Sequence, residues 1–162
     1  VEGIRLVHQH LLTAVNLGTN LEARAGMMAA SLMGATSFQK GLGAMHALAH
    51  PIGAVRNAHH GLLNAIIMPY VLEMNRPVIE DRIGRLAAYL ALPTPGFDGF
   101  LKWVLDVRAE IGIPMGLDAM GLSEDDVSFF APLALQDSSA GTNAIPMTLA
   151  NTTELLMRAI KG

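Results

Sequence analysis

Apolar residues recur at helical spacing from the first residues onward. In VEGIRLVHQHLLTAVNLG, Ile4, Val7, Leu11, Leu12 and Val15 share one face of an amphipathic helix. That helix is already running at Glu2, with no capping residue and no Met ahead of it, so an upstream extension of the chain is expected. Leu21 to Phe38, rich in Ala, Met and Leu, predicts a second helix. Gly41 and Gly43 interrupt, and Ala44 to His50 predicts a short helix that Pro51 limits, because proline pushes its predecessor out of the helical region. Asn57 is a candidate cap for a helix from about His60 toward Glu73, with Pro69 as a kink or break near its end. Val78 to Leu90 follows, with Pro77 near its start. ALPTPGFDG is the clearest loop. Beyond it lie a helix from Phe97 or Asp98 to Ile111, with Asp98 a plausible cap, and a helix opened by Ser123 in SEDDVSFFAPLAL. Glu124, Asp125 and Asp126 in that first turn suit the helix dipole. DSSAGTNAIPMT is loop, and Asn151 to Lys161 is the last helix. Strand signals are nearly absent and no repeat is visible, so the expected class is an all-α helical bundle.

Composition narrows the function. The 162 residues are 51% hydrophobic and 15% charged. That is an apolar excess for one free-standing domain, and it implies a face covered by another domain or subunit. The longest runs free of Asp, Glu, Lys and Arg are 16 residues, and Asn57 to Leu72 includes two histidines, two asparagines and a proline, so no membrane-spanning helix is expected. A net charge of −3 without a basic run gives nucleic-acid binding no electrostatic support. The absence of cysteine excludes disulfides, thiolate metal sites and thiol catalysis. SSAGTN has no strand-to-helix elbow around its serines, so serine hydrolysis is not indicated. The ten methionines read as core filler.

Chemistry concentrates in GLGAMHALAHPIGAVRNAHHGLLNAI, which holds four of the six histidines: His46, His50, His59 and His60. His46 and His50 are four apart and share a helix face, a common way to present two nitrogens to one metal ion. His60 follows His46 by 14 residues across a Pro-Gly turn able to fold the chain back. Neutral imidazoles suit Zn²⁺ or Fe²⁺. Small neighbours, Gly43, Ala44, Ala47, Ala49, Gly53 and Ala54, permit close approach to the rings. The bland reading, histidines satisfied within the core or at the surface, competes with this one.

The segment GLGAMHALAHPIGA…HHGLLNAIIMPYVLEMN resembles the signature region of the iron-containing (group III) alcohol dehydrogenases. ALQDSSAGTNAIPMT is similar to that family's C-terminal segment, and the resemblance covers essentially the whole chain. It implies an N-terminal α/β domain that binds NAD or NADP and a C-terminal all-α, dehydroquinate synthase-like domain that carries the metal, Fe²⁺ or Zn²⁺. Residues 1–162 correspond to the latter. The resemblance further implies four metal ligands: an upstream Asp and His, then His46 and His60. His50 matches a histidine beside the nicotinamide and substrate, and would accept or relay a proton. The implied reaction is reversible hydride transfer from a small alcohol, giving an aldehyde or ketone. The resemblance also implies a homo-oligomer and a cytoplasmic location.

The upstream D-x-x-x-H pair is absent, and His8 and His10 do not replace it. The glycine-rich cofactor loop is absent too, so no residue here is assigned to cofactor binding. The isolated chain is therefore expected to be catalytically silent and to bind metal weakly. His59 stands where many members have proline; Lys40 reads as a solvated loop charge, with a contact to the cofactor or an anionic substrate as the alternative. Asp137 is expected to cap or tether the terminal segment, or to reach the cleft. A stand-alone helical binding or assembly module, and a sister reductase or lyase with altered metal use, are the competing readings. If His46 and His60 share an ion, their nitrogens should lie within about 5 Å of each other at the usual metal–nitrogen distance.

Overall fold

The computed structural model describes residues 1–162. It contains seven α-helices and no strand: α1 (Glu2–Asn16), α2 (Leu21–Ser37), α3 (Ala44–Arg56), α4 (His60–Tyr89), α5 (Gly96–Glu110), α6 (Val127–Gln136) and α7 (Leu149–Lys161). Short 3₁₀ turns fill several connections. No helix is long and apolar enough to cross a membrane. The chain divides into two compact units. The first comprises Val1–Lys40 and Asp81–Ile111, and the second Gly41–Glu80 and Gly112–Gly162.

In the first unit α1 packs on α2. The His10 ring lies against Gly26, where a Cβ would sit 2.3 Å from the imidazole Cδ2, so only glycine permits this approach. Asn20 caps α2 by accepting a 2.9 Å hydrogen bond from the Ala23 N–H. Glu2 accepts hydrogen bonds from Arg5 and, at 3.0 Å, from the Tyr89 hydroxyl. The Arg5 bond first, then the Tyr89 bond, pull the Glu2 carboxyl down to about 2. Along α2, Leu21, Met28 and Leu32 form a stripe exposed to 79%, 73% and 70%, which is where much of the apolar excess resides.

The second unit is built on a core that includes Leu48, Ile52, Leu63, Ile66, Leu117, Phe130 and Leu156. Here the prolines behave differently from expectation. α3 does not stop at His50 but runs through Pro51 to Arg56, and α4 is one helix of 30 residues through Pro69 and Pro77. An interior proline costs about 3 kcal/mol. Burying one Ile side chain contributes roughly 1.5–3 kcal/mol. Ile52 beside Pro51, and Ile66 and Ile67 within a turn of Pro69, are fully buried, so tertiary packing offsets the local penalty at these two prolines.

The caps also differ. Asn57 does not start α4. It ends α3 in the left-handed conformation (φ 49°), which Asn tolerates well. His59 serves α4 instead, its Nδ1 accepting from the Leu62 N–H at 3.2 Å. α5 begins at Gly96, which places Asp98 inside its first turn. Ser123 and Asp126 form a reciprocal capping box around a 3₁₀ turn ahead of α6, and Thr148 and Asn151 do the same for α7, two residues before its expected start.

Candidate metal and proton-transfer site

The site lies within the second unit, where α3 and α4 begin against the loop after α6. Gly41 and Gly43 both have positive φ (98° and 87°), and a Cβ on Gly41 would lie 2.3 Å from that of Thr142. The loop therefore reaches the α3 backbone closely. Leu42 N–H donates to the Thr142 hydroxyl, and Gly43 N–H to the Ser139 carbonyl. Gly43 has no side chain to cap α3, and Asn143 supplies the missing acceptor, its Oδ1 taking the Ala44 N–H at 3.1 Å. Asn143 is held by a reciprocal amide pair with buried Asn75, at 2.9 and 3.0 Å. This clamp fixes the first turns of α3, which carry His46 and His50.

His60 is the first residue of α4, and three rings meet. Centroids are 5.3 Å apart for His46 and His60, 5.4 Å for His50 and His60, and 5.6 Å for His46 and His50. His50 stacks on His60 with an interplanar angle of 14°. The Asn64 amide, one turn after His60, lies between two of them. Its Nδ2 is 2.9 Å from His60 Nε2 and 3.4 Å from His46 Nε2. Both Nε2 atoms thus lie within hydrogen-bond distance of a single side-chain amide, and the two rings turn the same nitrogen toward one point. Burial grades across the cluster from buried His46 through half-buried His50 to exposed His60. Burial first, then the proximity of His60 and His50, hold the His46 pKa below the usual imidazole range, so His46 is neutral at pH 7, the form that ligates a metal.

His50 is tied elsewhere. Its Nδ1 lies 2.9 Å from Asp137 Oδ2, and Asp137 Oδ1 accepts the Ser139 N–H at 2.8 Å. Burial raises the Asp137 pKa and is the largest single influence. The Ser139 and His50 hydrogen bonds together outweigh it and hold the carboxyl below its ordinary value.

His46, His50 and His60 are therefore brought together. His59 is occupied in capping α4, and Lys40 is exposed in the first unit, as are the elements bearing His8 and His10. Asn64 escaped the sequence reading, and for Asp137, expected to tether the terminal segment or reach the cleft, the partner His50 was not anticipated. Asn64 carried a faint signal, standing four residues after His60 on the same helix face. Asp137 carried another: a carboxylate at the end of α6 opposes the helix dipole and calls for some other reason to be there. No group of three or more His, Cys, Asp or Glu side chains in the chain is arranged to hold a metal ion. Two converging imidazoles fit part of a zinc or iron shell, the remainder of which would come from outside these residues.

Residues 1–160 match the profile described as Fe-containing alcohol dehydrogenase family, C-terminal. The chain is 36% identical to the 4-hydroxybutyrate dehydrogenase of Cupriavidus necator, over 99% of this chain and 44% of that protein. It is 27% identical to an NAD-dependent methanol dehydrogenase of Bacillus methanolicus, over 99% of this chain and 44% of that protein. Among solved structures, a 1,3-propanediol oxidoreductase superposes with a TM-score of 0.92 at 28% identity, covering 98% of this chain and 44% of that one. The chain spans less than half the length of the relatives it matches.

Proposed function

Because this chain belongs to the iron-containing alcohol dehydrogenase family, whose C-terminal part it matches, we propose that it is the metal-binding helical domain of an NAD- or NADP-dependent alcohol dehydrogenase. An N-terminal cofactor domain and upstream Asp and His ligands complete the enzyme. The substrate class is a small alcohol, converted reversibly to its aldehyde or ketone. The observation that carries this reading is the convergence of His46 Nε2 and His60 Nε2 on one point, with the His50 ring against both.

His46 and His60 would hold the ion, Fe²⁺ or Zn²⁺. When bound, the ion supplies Lewis-acid polarisation of the substrate oxygen. His46 is suited to ligation by its burial, which keeps it neutral and fixes its ring. The Asn64 amide, 2.9 Å from His60 Nε2 and 3.4 Å from His46 Nε2, would hold these two nitrogens toward each other. His50, its ring against both His46 and His60, would accept the hydroxyl proton of the substrate, and the nicotinamide, when bound, would supply the hydride acceptor.

The test is metal content and turnover in the full-length enzyme. His46→Ala and His60→Ala should each strip the ion and abolish activity. His50→Ala should keep the ion and lower kcat by roughly 10²–10⁴-fold, the usual contribution of a positioned acid–base group. Loss of metal in His50→Ala with retention in His60→Ala reverses the assignment. Full metal retention in all three variants favours a helical binding module instead.

A further inference from the structure

We propose that Asp137 is a positioning residue that sets the tautomer of His50, so that Nδ1 carries the proton and Nε2 presents a lone pair. The proposal rests on the reading of His50 as proton acceptor and adds a residue that acts through it.

Both oxygens of Asp137 are committed. Oδ1 accepts the Ser139 backbone N–H at 2.8 Å, and Oδ2 meets His50 Nδ1 at 2.9 Å. An ionised carboxylate only accepts hydrogen bonds, so the short contact requires a proton on His50 Nδ1. A neutral imidazole then has its lone pair on Nε2, the nitrogen able to take up a proton. The pair is held from two sides. His50 is on α3, whose first turn Asn143 caps, and Asp137 ends α6 in extended backbone with its side chain 18% exposed.

The geometry makes the amide variant more revealing than truncation. In Asp137→Asn, the Ser139 N–H is a fixed donor and can face only the amide oxygen. The amide NH₂ is then directed at His50 Nδ1. Two donors cannot face each other, and the imidazole is the partner able to change: its proton moves to Nε2. The isosteric variant therefore presents the wrong nitrogen to the substrate. Asp137→Ala removes the bias and leaves both tautomers populated.

The experiment compares wild type, Asp137→Asn and Asp137→Ala in the full-length, zinc-loaded protein. Steady-state kinetics with a primary alcohol are paired with nitrogen-15 NMR of the histidine rings, the His50 signals assigned by their loss in His50→Gln. Metal content and thermal unfolding establish that each variant is folded and loaded. The expected result is a kcat at least 100-fold lower in Asp137→Asn, with KM within about threefold of wild type and zinc retained. Asp137→Asn should be at least as slow as Asp137→Ala, and its His50 Nδ1 should shift from protonated to unprotonated character. A purely structural contact gives the opposite order, with Asn mild and Ala severe, and that result overturns the proposal. So does a His50 Nδ1 that stays protonated in Asp137→Asn, or wild-type turnover in both variants. If the wild-type protein transfers no hydride at all, the dehydrogenase reading fails, and the NMR comparison still decides the tautomer.

Discussion

Asn143→Ala should destabilise the second unit well beyond the usual cost of a loop substitution. The Asn143 side chain makes four hydrogen bonds: it accepts from Ala44 N–H and Asn75 Nδ2 and donates to Asn75 Oδ1 and the Ile145 carbonyl. Truncation removes the cap of α3, a loss of about 0.5–2 kcal/mol. It also strands Asn75, whose residue is 6% exposed. Asn75 Oδ1 keeps the Ile145 N–H at 3.2 Å, but its NH₂ loses the acceptor it had, and a stranded buried polar group costs about 1–3 kcal/mol. The expected loss is about 2–4 kcal/mol, read as a lower urea midpoint with unchanged slope in helical circular dichroism. The cycle with Asn75→Ala isolates the amide pair. Removing both partners leaves no stranded amide, so the double variant should be less destabilised than the two singles predict, with a coupling of about 0.5–3 kcal/mol. A loss under about 1 kcal/mol for Asn143→Ala, or strict additivity with Asn75→Ala, would refute the idea that this clamp fixes the start of α3.

Two further outcomes follow from the same region. Gly41→Ala should cost more than about 1 kcal/mol and loosen the loop, because φ is +98° and the new Cβ meets Thr142; a neutral effect in urea unfolding would contradict that close approach. Stability should fall with acidification below about pH 4, since Asp126 and Asp137 both have folded-state pKa values below the ordinary Asp value of 3.8. For Asp126 the Ser123 backbone bond is the main cause, opposed by burial and aided by Arg56, while for Asp137 burial opposes the bonds from Ser139 and His50. The unfolded chain takes up protons first, so stability present above pH 4 is lost as pH drops through the folded values; Asp126→Asn should flatten part of that slope in urea titrations between about pH 2 and 5.

Local pattern and tertiary context divide the chain in an instructive way. Apolar spacing and helix-forming composition located the helical segments, although α4 was expected as two helices broken between Glu73 and Val78. The prolines misled because their cost is local while the compensation at Ile52, Ile66 and Ile67 is not. Asn57 misled for a different reason: asparagine suits both the start of a helix and the left-handed turn that ends one, and only the position of His59 decides between them. The histidines show the same limit. Spacing alone paired His46 with His50, since four residues make one turn, and the family resemblance paired His46 with His60. In the folded chain the three rings are nearly equidistant, so distance does not separate them; partners do. His46 and His60 turn their Nε2 atoms to one amide, whereas His50 gives its Nδ1 to Asp137, 87 residues away in sequence. No period encodes a contact of that span. A carboxylate placed against the dipole at a helix end is the trace it leaves in the sequence, and that trace becomes readable only when the Ser139 N–H and the His50 ring are seen to hold it there.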